Sequence, residues 1–391
     1  MRKILEEDIE GKKVLVRTDL NLPIKNGEPM ESLRMEKYME SVSYMAERGA
    51  RIVLMAHQGR PGDKDFTSLK KHAEIMEEEL GREVRFIPSF FGGELEDVLD
   101  SMEDGDIALI ENIRMLSEEL MNESVEKHSK DFFVRRMSEE FDIYVNDAFS
   151  VAHRPHGSMM GFMNHLPAFA GPLMTDEIES CKKARDELDS PVLVLGGAKP
   201  SDLVKMIDRM KERADKVLLG GIPGELALRL RGIKLDKKYS WIQRKGLDEG
   251  EEEFDRFLEE HPDLFELPVD LVTEEGVKRV EELDGDEMVW DIGPETVERY
   301  SRIIADSKSL ILKGPMGAFE EGYIDGTRGV IEAVSDCDGY TLLGGGHTST
   351  LLGDLDIPLE NFSHVSIAGG AFVRFMSGEK LPVIEALEKY S

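Results

Sequence analysis

Short apolar, β-prone runs recur along this chain, and segments with helical spacing separate them. In the first part the runs are KVLVR at 13–17, ARIVLMA at 50–56, DIALIEN at 106–112 and FDIYVND at 141–147. Between the first two, residues 33–49 have the spacing of an amphipathic helix that ends at Gly49. Continuous apolar strands that alternate with helices are typical of parallel sheets covered on both faces. The pattern therefore predicts an α/β fold.

The same alternation returns in the second part of the chain. Its runs are PVLVLGG at 191–197, KVLLGG at 216–221, ELPVDLV at 266–272, KSLILKG at 308–314 and GYTLLGGG at 339–346. A chain of 391 residues exceeds the size at which one hydrophobic core keeps growing, so two domains are expected. Proline and glycine punctuate residues 166–177, which predicts the break there. The acidic stretch 247–263 is interpreted as a solvated surface helix.

Charge and composition exclude several classes of function. The 80 acidic and 49 basic residues give a net charge of −31, which argues against a nucleic-acid partner because phosphates would be repelled. No apolar run approaches the roughly 18 residues of a membrane span, and the N-terminus lacks the apolar core of a signal peptide. Cys181 and Cys337 match no metal or redox spacing. We expect a cytoplasmic protein with ordinary thiols and no membrane partner.

Cationic side chains gather at the predicted strand ends of the first half, where parallel sheets bind their ligands. Asp19 and Asn21 follow the first strand and share one face with Arg17, because alternate residues of an extended chain point the same way. The cationic set is Arg34, His57, Arg60, Arg114, His153 and Arg154. Guanidinium forks bind carboxylate and phosphate oxygens bidentately. The set predicts a small polyanionic ligand such as a sugar-acid phosphate.

Glycine takes the place of arginine at the strand ends of the second half. The glycine-rich runs are LGGAKP at 195–200, LGGIPG at 219–224, DIGP at 291–294, KGPMGAFEEG at 313–322, LGGGHTST at 343–350 and IAGGAF at 367–372. Glycine loops before helices can cradle nucleotide phosphates with backbone N–H groups. Lys199 is a candidate counter-charge for a phosphate, and Glu320 a candidate acceptor for ribose hydroxyls. The P-loop motif and the dinucleotide-binding glycine motif are both missing from the sequence.

Taken in order, these segments resemble the phosphoglycerate kinase family over nearly the whole chain. VLVRTDLNLP at 14–23 is similar to the family's N-terminal signature, and HQGRP at 57–61, ENIRM at 111–115 and NDAFSVAHR at 146–154 are similar to its later motifs. GGAK, GPMGAFE, GGGHT and SIAGGA follow in the family's order. The resemblance implies two Rossmann-like, doubly wound parallel-sheet lobes joined by a hinge. Residues 1–170 would bind phosphoglycerate, 171–375 would bind the nucleotide, and 376–391 would pack back on the first lobe.

The resemblance also implies a reaction and a set of site residues. The reaction is reversible phosphoryl transfer between 1,3-bisphosphoglycerate and ADP, with Mg²⁺ as cofactor and ATP and 3-phosphoglycerate as products. The expected phosphoglycerate ligands are Asp19, Asn21, Arg34, His57, Gln58, Gly59, Arg60, Arg114 and Arg154. The expected nucleotide ligands are Lys199, Glu320, Gly345, Gly346, His347 and Thr348. Arg34 and Lys199 would be catalytic, and a monomer is expected.

Three departures from the family's pattern leave part of the site unassigned. The second lysine that commonly follows GGAK is replaced by Leu203, with Lys205 as the nearest candidate. His347 stands where many members have aspartate, a form typical of archaeal members, and Lys313 replaces an asparagine. The Mg²⁺ ligand is therefore unassigned. A nucleotide- or polyanion-binding protein without catalysis, and a kinase for another acid phosphate, remain alternatives.

Overall fold

The computed structural model describes residues 1–345 and 351–391. Within these residues the chain forms two compact units, which are described separately. Unit 1 comprises Met1–Glu179 and Lys380–Ser391, and unit 2 comprises Ser180–Glu379. Each unit is built around a six-stranded sheet in which all strand pairs are parallel. The α/β class predicted from the alternating pattern is confirmed, whereas the binding role of each lobe stays a prediction.

Unit 1 places its first strand inside the sheet rather than at an edge. Its strands are β1 (Lys13–Arg17), β2 (Ile24–Lys25), β3 (Glu28–Pro29), β4 (Arg51–Met55), β5 (Val84–Ile87), β6 (Ile107–Ile110), β7 (Ile143–Asn146) and β8 (Ala168–Ala170). The sheet order is β5-β6-β4-β1-β7-β8, and β2 and β3 form a separate hairpin. The chain builds the β4 side first and then crosses to β7, so the carboxyl ends of β1 and β7 flank a topological switch point.

Helices cover the sheet of unit 1 with their apolar faces. They are α1 (Leu33–Glu47), α2 (Lys70–Leu80), α3 (Gly93–Ser101), α4 (Val125–His128), α5 (Phe132–Ser138) and α6 (Gly157–Met160), and α7 (Pro172–Lys182) begins in unit 1 and ends in unit 2. Helix α1 buries Met35, Tyr38, Val42 and Met45 at helical spacing, as the sequence predicts. The C-terminal helix, Pro382–Tyr390, belongs to the same unit, where the backbone N–H of Val383 donates to Ala152 O at 3.3 Å.

Unit 2 has the strand order of a dinucleotide fold although its glycine loops lack that fold's motif. Its strands are β9 (Val192–Leu195), β10 (Lys216–Leu219), β11 (Phe265–Glu266), β12 (Asp270–Thr273), β13 (Gly276–Arg279), β14 (Val289–Ile292), β15 (Ser309–Lys313), β16 (Tyr340–Gly344) and β17 (His364–Val365). The parallel sheet runs β11-β10-β9-β15-β16-β17. The order reverses between β9 and β15, and such reversals are where open α/β sheets bind ligands.

The helices of unit 2 mostly follow its strands. They are α8 (Pro200–Met210), α9 (Gly221–Leu230), α10 (Asp236–Arg244), α11 (Glu251–Glu260), α12 (Pro294–Ala305), α13 (Asp325–Ser335) and a helix at Gly370–Met376. Helix α11 lies in the acidic stretch 247–263 and buries only Phe254, Phe257 and Leu258. No helix within the two described ranges is long and apolar enough to span a bilayer.

One predicted strand is wrong. The run ELPVDLV does not form a single strand, because β11 ends at Glu266 and β12 begins at Asp270 in a different, antiparallel sheet with β13 and β14. Pro268 lies between the two pieces and cannot donate to a ladder, which explains the break. Among the strands of the two parallel sheets, β5, β8 and β17 match none of the predicted runs. They lie toward or at sheet edges and are short.

Candidate functional site

The carboxylate of Asp19 is the centre of a buried polar cluster at the carboxyl end of β1. Its Oδ2 accepts hydrogen bonds from Arg34 Nη1 at 2.9 Å and from Ser150 Oγ, and its Oδ1 accepts one from the backbone N–H of Asn21 at 3.1 Å. Asp19 is 1% exposed. Burial alone would raise the pKa of Asp19, but the charges of Arg34 and Arg17 and the hydrogen bond from Ser150 hold it well below its usual range. Asp19 is therefore ionised and fixes Arg34.

His57, at the end of β4, is neutral. Burial lowers the pKa of His57 well below its usual value, because the effect of burial and of nearby arginines outweighs the opposing effect of Asp19. Arg17 Nη2 lies 3.1 Å from His57 Nδ1. A guanidinium can only donate, so Nδ1 accepts and the proton of the ring lies on Nε2. His57 is thereby set as a hydrogen-bond donor.

Arg17 is buried and braces the end of β1 through a serine rather than by pairing directly with a carboxylate. Its Nε donates to Ser158 Oγ at 2.8 Å. Ser158 in turn donates to Glu119, from Oγ at 2.8 Å and from its backbone N–H at 2.6 Å. The serine thus lies between the two charges, and within the described ranges no carboxylate is in ion-pair contact with Arg17.

Gln58 and Gly59 are engaged within the protein. The Gln58 amide donates to Leu22 O at 3.1 Å, and its Oε1 accepts from the backbone N–H of Leu22 at 2.9 Å and from His72 Nε2 at 3.0 Å. The backbone N–H of Gly59 donates to Asn21 Oδ1 at 2.8 Å. These bonds tie the loop after β1 to the loop after β4. A direct ligand contact from the Gln58 side chain does not fit this arrangement, because the residue is fully buried and its oxygen and one of its N–H groups are already hydrogen-bonded.

Three further arginines supply the positive charge of the site. Arg114 is 5% exposed; its Nη1 donates to Gly59 O, whereas its Nε has no partner within the described residues. Burial, with Arg154 and Arg17 nearby, lowers the pKa of Arg114 to about 10. Arg154 is half-buried and its Nε contacts His153 Nε2 at 3.2 Å, and Arg60 is exposed. Buried like charges with an unsatisfied donor suit a multiply charged anion.

In unit 2 the paired glycines after β9 and β10 do not form the phosphate nest expected from the sequence. Their N–H groups all donate to protein carbonyls: Gly196 to Lys313 O, Gly197 to Pro315 O, Gly220 to Leu195 O and Gly221 to Met316 O, at 2.7–3.0 Å. A Cβ at Gly196 would lie 2.2 Å from Pro315 O. These glycines allow three loops to interlock, so their role is close packing.

The N-terminus of α8 differs from those of α9, α12 and α13, which also follow glycine-containing loops. Asp270 accepts from the backbone N–H of Thr296 in α12 at 2.8 Å, Asp291 accepts from that of Gly326 in α13 at 2.9 Å, and α9 is capped by backbone carbonyls. Before α8, the N–H groups of Ala198 and Lys199 donate to no other described residue. Helix α8 therefore offers free donors and the positive end of its dipole to an anion.

The remaining predicted nucleotide ligands are only partly described. Lys199 is exposed directly before α8, and Glu320 is exposed in the short turn Phe319–Glu321. Gly345 follows β16 with φ +115°. Gly346, His347 and Thr348 lie outside the described residues.

Lys205 does not replace the lysine missing at Leu203. Lys205 is exposed and forms an ion pair with Glu379 at 2.7 Å, whereas Leu203 is fully buried on the opposite side of α8 from solvent.

Sequence reasoning missed Ser150 and Ser158. Both lie in or beside the segment 146–154, which is similar to one of the family's motifs. Serine is common in loops, however, and nothing in the sequence ties these two to Asp19 or Arg17. Only the pairing of β1 with β7, with Arg17 opposite Asn146, brings that segment to the end of β1.

Comparison with known proteins agrees with this arrangement. A family model described as "Phosphoglycerate kinase" matches residues 4–379. The chain is 41% identical to the phosphoglycerate kinase of Halorubrum lacusprofundi, over 96% of this chain and 95% of that protein, and 38% identical to that of Methanopyrus kandleri, over 97% and 95%. The crystal structure of phosphoglycerate kinase from Pyrococcus horikoshii OT3 matches with a TM-score of 0.92 and 33% identity, over 99% of this chain and 98% of that one.

Proposed function

The chain belongs to the phosphoglycerate kinase family, and on that premise we propose how its own residues bind the two substrates. The reaction is the reversible transfer of a phosphoryl group between 1,3-bisphosphoglycerate and ADP, which yields 3-phosphoglycerate and ATP in glycolysis and gluconeogenesis. Unit 1 binds the phosphoglycerate and unit 2 binds the nucleotide. The observation that carries the first assignment is the buried, incompletely paired guanidinium of Arg114 beside two other arginines.

Arginine and histidine donors hold the anionic ends of the phosphoglycerate. The guanidinium groups are Arg34, Arg60, Arg114 and Arg154. The Nε2–H of His57 adds a neutral donor to the same cluster. These groups bind carboxylate and phosphate oxygens, for which planar forks and charge-assisted hydrogen bonds are well suited.

Asp19 and Asn21 bind the glyceryl part of the substrate. A carboxylate has about four acceptor positions, and three protein donors already use three of those of Asp19, so one remains for a substrate hydroxyl. Gln58 and Gly59 act indirectly, because they fix the loops that carry Asn21 and Arg114.

Lys199 and the free N–H groups before α8 bind the phosphates of the nucleotide. Glu320 accepts from the ribose hydroxyls, and the segment from Gly345 through Gly346 and His347 to Thr348 completes the site. Mg²⁺ would be held mainly by the phosphates of the nucleotide, because it commonly uses only one or two carboxylates together with phosphate oxygens and water. Within the ranges 1–345 and 351–391 no group of three or more His, Cys, Asp or Glu side chains could hold a metal ion. When bound, Mg²⁺ neutralises charge on the phosphates.

Phosphoryl transfer requires alignment and positive charge around the transferred group, and little covalent chemistry from the protein. Arg34, fixed by Asp19, and Lys199 supply this charge and are the proposed catalytic residues. Closure of the two lobes about a hinge, which the family implies, stays a prediction. The proposal includes a monomeric enzyme of the cytoplasm, and light scattering tests the oligomeric state.

A coupled assay tests the proposed function. Purified protein with Mg²⁺, ATP and 3-phosphoglycerate should drive NADH oxidation when glyceraldehyde-3-phosphate dehydrogenase is added. A folded protein without turnover above background would contradict the proposal. Calorimetry with ATP and with 3-phosphoglycerate then separates the alternatives, because a nucleotide-binding protein without catalysis would bind only ATP, and a kinase for another acid phosphate would show turnover with a different carboxylate substrate.

A further inference from the structure

Lys313 is the last residue of β15 and lies at the switch point of the unit 2 sheet. Strand β15 pairs with β9 on one side and with β16 on the other, which places Lys313 opposite Leu195 and opposite Gly344. The strand order reverses between β9 and β15. The carboxyl ends of the strands at such a reversal are where this class of sheet binds its ligands.

The side chain of Lys313 extends over the loop that leads to α8. A Cβ at Gly197 would lie 4.0 Å from Lys313 Nζ, so the ammonium group lies close to the glycine that precedes Ala198 and Lys199. Lys313 is half-buried. Within the described residues its ammonium group makes no hydrogen bond or ion pair.

Burial is the main cost that this ammonium group carries, and its charged neighbours act in opposite directions. Burial lowers the pKa of Lys313, and Lys199 lowers it further, whereas Asp202 opposes both. Two neighbouring ammonium groups, one of them partly desolvated, are costly without an anion. A phosphate placed between Lys199 and Lys313, at the N-terminus of α8, would satisfy both.

The other two candidate positions for a second phosphate-binding lysine, 203 and 205, do not provide one. Leu203 is fully buried in the apolar face of α8, where an ammonium group would be desolvated without a partner. Lys205 is exposed and is paired with Glu379.

We propose that Lys313 is the second phosphate-binding lysine of the nucleotide site and that its ammonium group contacts the terminal phosphate of ATP, the group that is transferred. This inference rests on the proposed function. Lys313 is thus a catalytic residue through charge, and it forms no bond to phosphorus.

The test compares Lys313→Met with the matched control Lys205→Met, which removes an exposed lysine outside the site. Methionine keeps the apolar stem of lysine and removes its charge. We expect Lys313→Met to lower kcat about 100-fold, as does the removal of one donor to a transition-state charge. We expect it to weaken ATP binding at least about tenfold in calorimetry and to affect AMP binding by less than about twofold. Lys205→Met should leave all three quantities within about twofold of wild type.

Two results would overturn the inference. One is a Lys313→Met protein that keeps kcat and ATP affinity within about threefold of wild type. The other is an equal loss of affinity for ATP and AMP, which would place the effect away from the terminal phosphate. Thermal unfolding of each variant shows whether it is folded, and AMP binding confirms that its nucleotide site is formed. If wild type itself lacks turnover, the proposed function fails, whereas the ATP and AMP affinities still report on Lys313.

Discussion

Arg34 donates from Nη1 to Oδ2 of Asp19 at 2.9 Å, and so helix α1 is joined to the carboxyl end of β1 by an ion pair. The same nitrogen lies 3.3 Å from Asn21 O. The carboxylate is buried and is held ionised by its neighbours, so the guanidinium is oriented before any substrate binds. Such preorganisation is what electrostatic catalysis requires, because no reorganisation is then needed in the transition state.

Replacing Arg34 should therefore damage catalysis more than folding. We expect Arg34→Ala to lower kcat by at least about two orders of magnitude in the coupled assay, a loss typical of removing one charge partner of the transition state. Arg136→Ala is the matched control, since Arg136 is an exposed arginine of the same unit that pairs with Glu139. An Arg34→Ala enzyme with unchanged kcat would remove Arg34 from the catalytic role.

Arg114 should contribute mainly to binding of the phosphoglycerate. Its guanidinium is buried beside Arg17 and Arg154, so a bound anion relieves repulsion that the free protein carries. We expect Arg114→Met to weaken 3-phosphoglycerate binding by at least about tenfold in calorimetry and to leave ATP binding unchanged. A ligand that binds only the folded state also stabilises it. The rise in Tm that 3-phosphoglycerate gives wild type should shrink in the variant, and an undiminished rise would count against the assignment.

Gly59 should be intolerant of any side chain. Its φ is +64°, and a Cβ would lie 2.5 Å from the backbone N of Phe66. Gly62 has φ +94° but nothing within 4 Å of the same position, so Gly62→Ala measures the backbone cost alone. We expect Gly62→Ala to lower the free energy of unfolding by about 1 kcal/mol, and Gly59→Ala by at least about 2 kcal/mol more. Denaturant unfolding of the pair checks this, and equal losses would show that the collision is relieved by movement of the loop.

Asp147 should make stability depend on pH. Burial raises the pKa of Asp147 to about 7, although hydrogen bonds from Ser41 Oγ and from the backbone N–H of Met174 oppose the shift. Because the folded state then holds a proton that the unfolded state releases near pH 4, this group destabilises the fold progressively as pH rises from about 4 to about 7. The contribution amounts to at most about 1.4 kcal/mol per pH unit. The stabilising effect of protonation is complete below pH 4 and lost above pH 7.

Asp147→Asn provides the measurement for that prediction. Asparagine can accept from Met174 and donate to Ser41, and it does not titrate. The free energy of unfolding of the variant, relative to wild type, should increase between pH 4 and pH 7 and stay constant above that range. A difference that does not vary with pH would show that Asp147 is ionised throughout.

The sequence predicts the sheets because their strands are apolar from end to end and helices separate them. Buried strands such as β1, β4, β9 and β15 can be recognised from their own apolar residues, without knowledge of the strands they pair with. Once the sheets are parallel, the rule that ligands bind at carboxyl ends of strands brings Asp19, His57 and Arg114 to one edge. Such reasoning can bring Asp19 and Arg34 close enough to pair, but it does not give the geometry of the ion pair.

Other roles depend on contacts between loops that are far apart in the chain. The N–H groups of the paired glycines could donate to phosphate or to carbonyl oxygens. They donate to carbonyls because Pro315 and Met316 lie within hydrogen-bond distance in the folded chain. Gln58 is a residue type that often binds ligands, but its side-chain amide forms hydrogen bonds with Leu22 and His72. In the sequence, Lys313 is only a departure from a family motif. The register of β15 with β9 shows that it lies beside the loop before α8. Such information is tertiary, so local sequence patterns do not contain it.

The interlocked loops after β9, β10 and β15 have a consequence for how this family can diverge. The backbones of these three loops are hydrogen-bonded to one another, and at several of their glycines a Cβ would collide with a neighbouring loop. The three loops therefore form a single frame whose main-chain conformation tolerates little change. Variation is then left to the side chains that project from the frame. A charge needed at one point in space can be supplied from whichever loop reaches that point, and lineages can exchange its donor without moving the backbone. The place of a charged residue in the sequence can therefore change while the charge stays at the same place in the site.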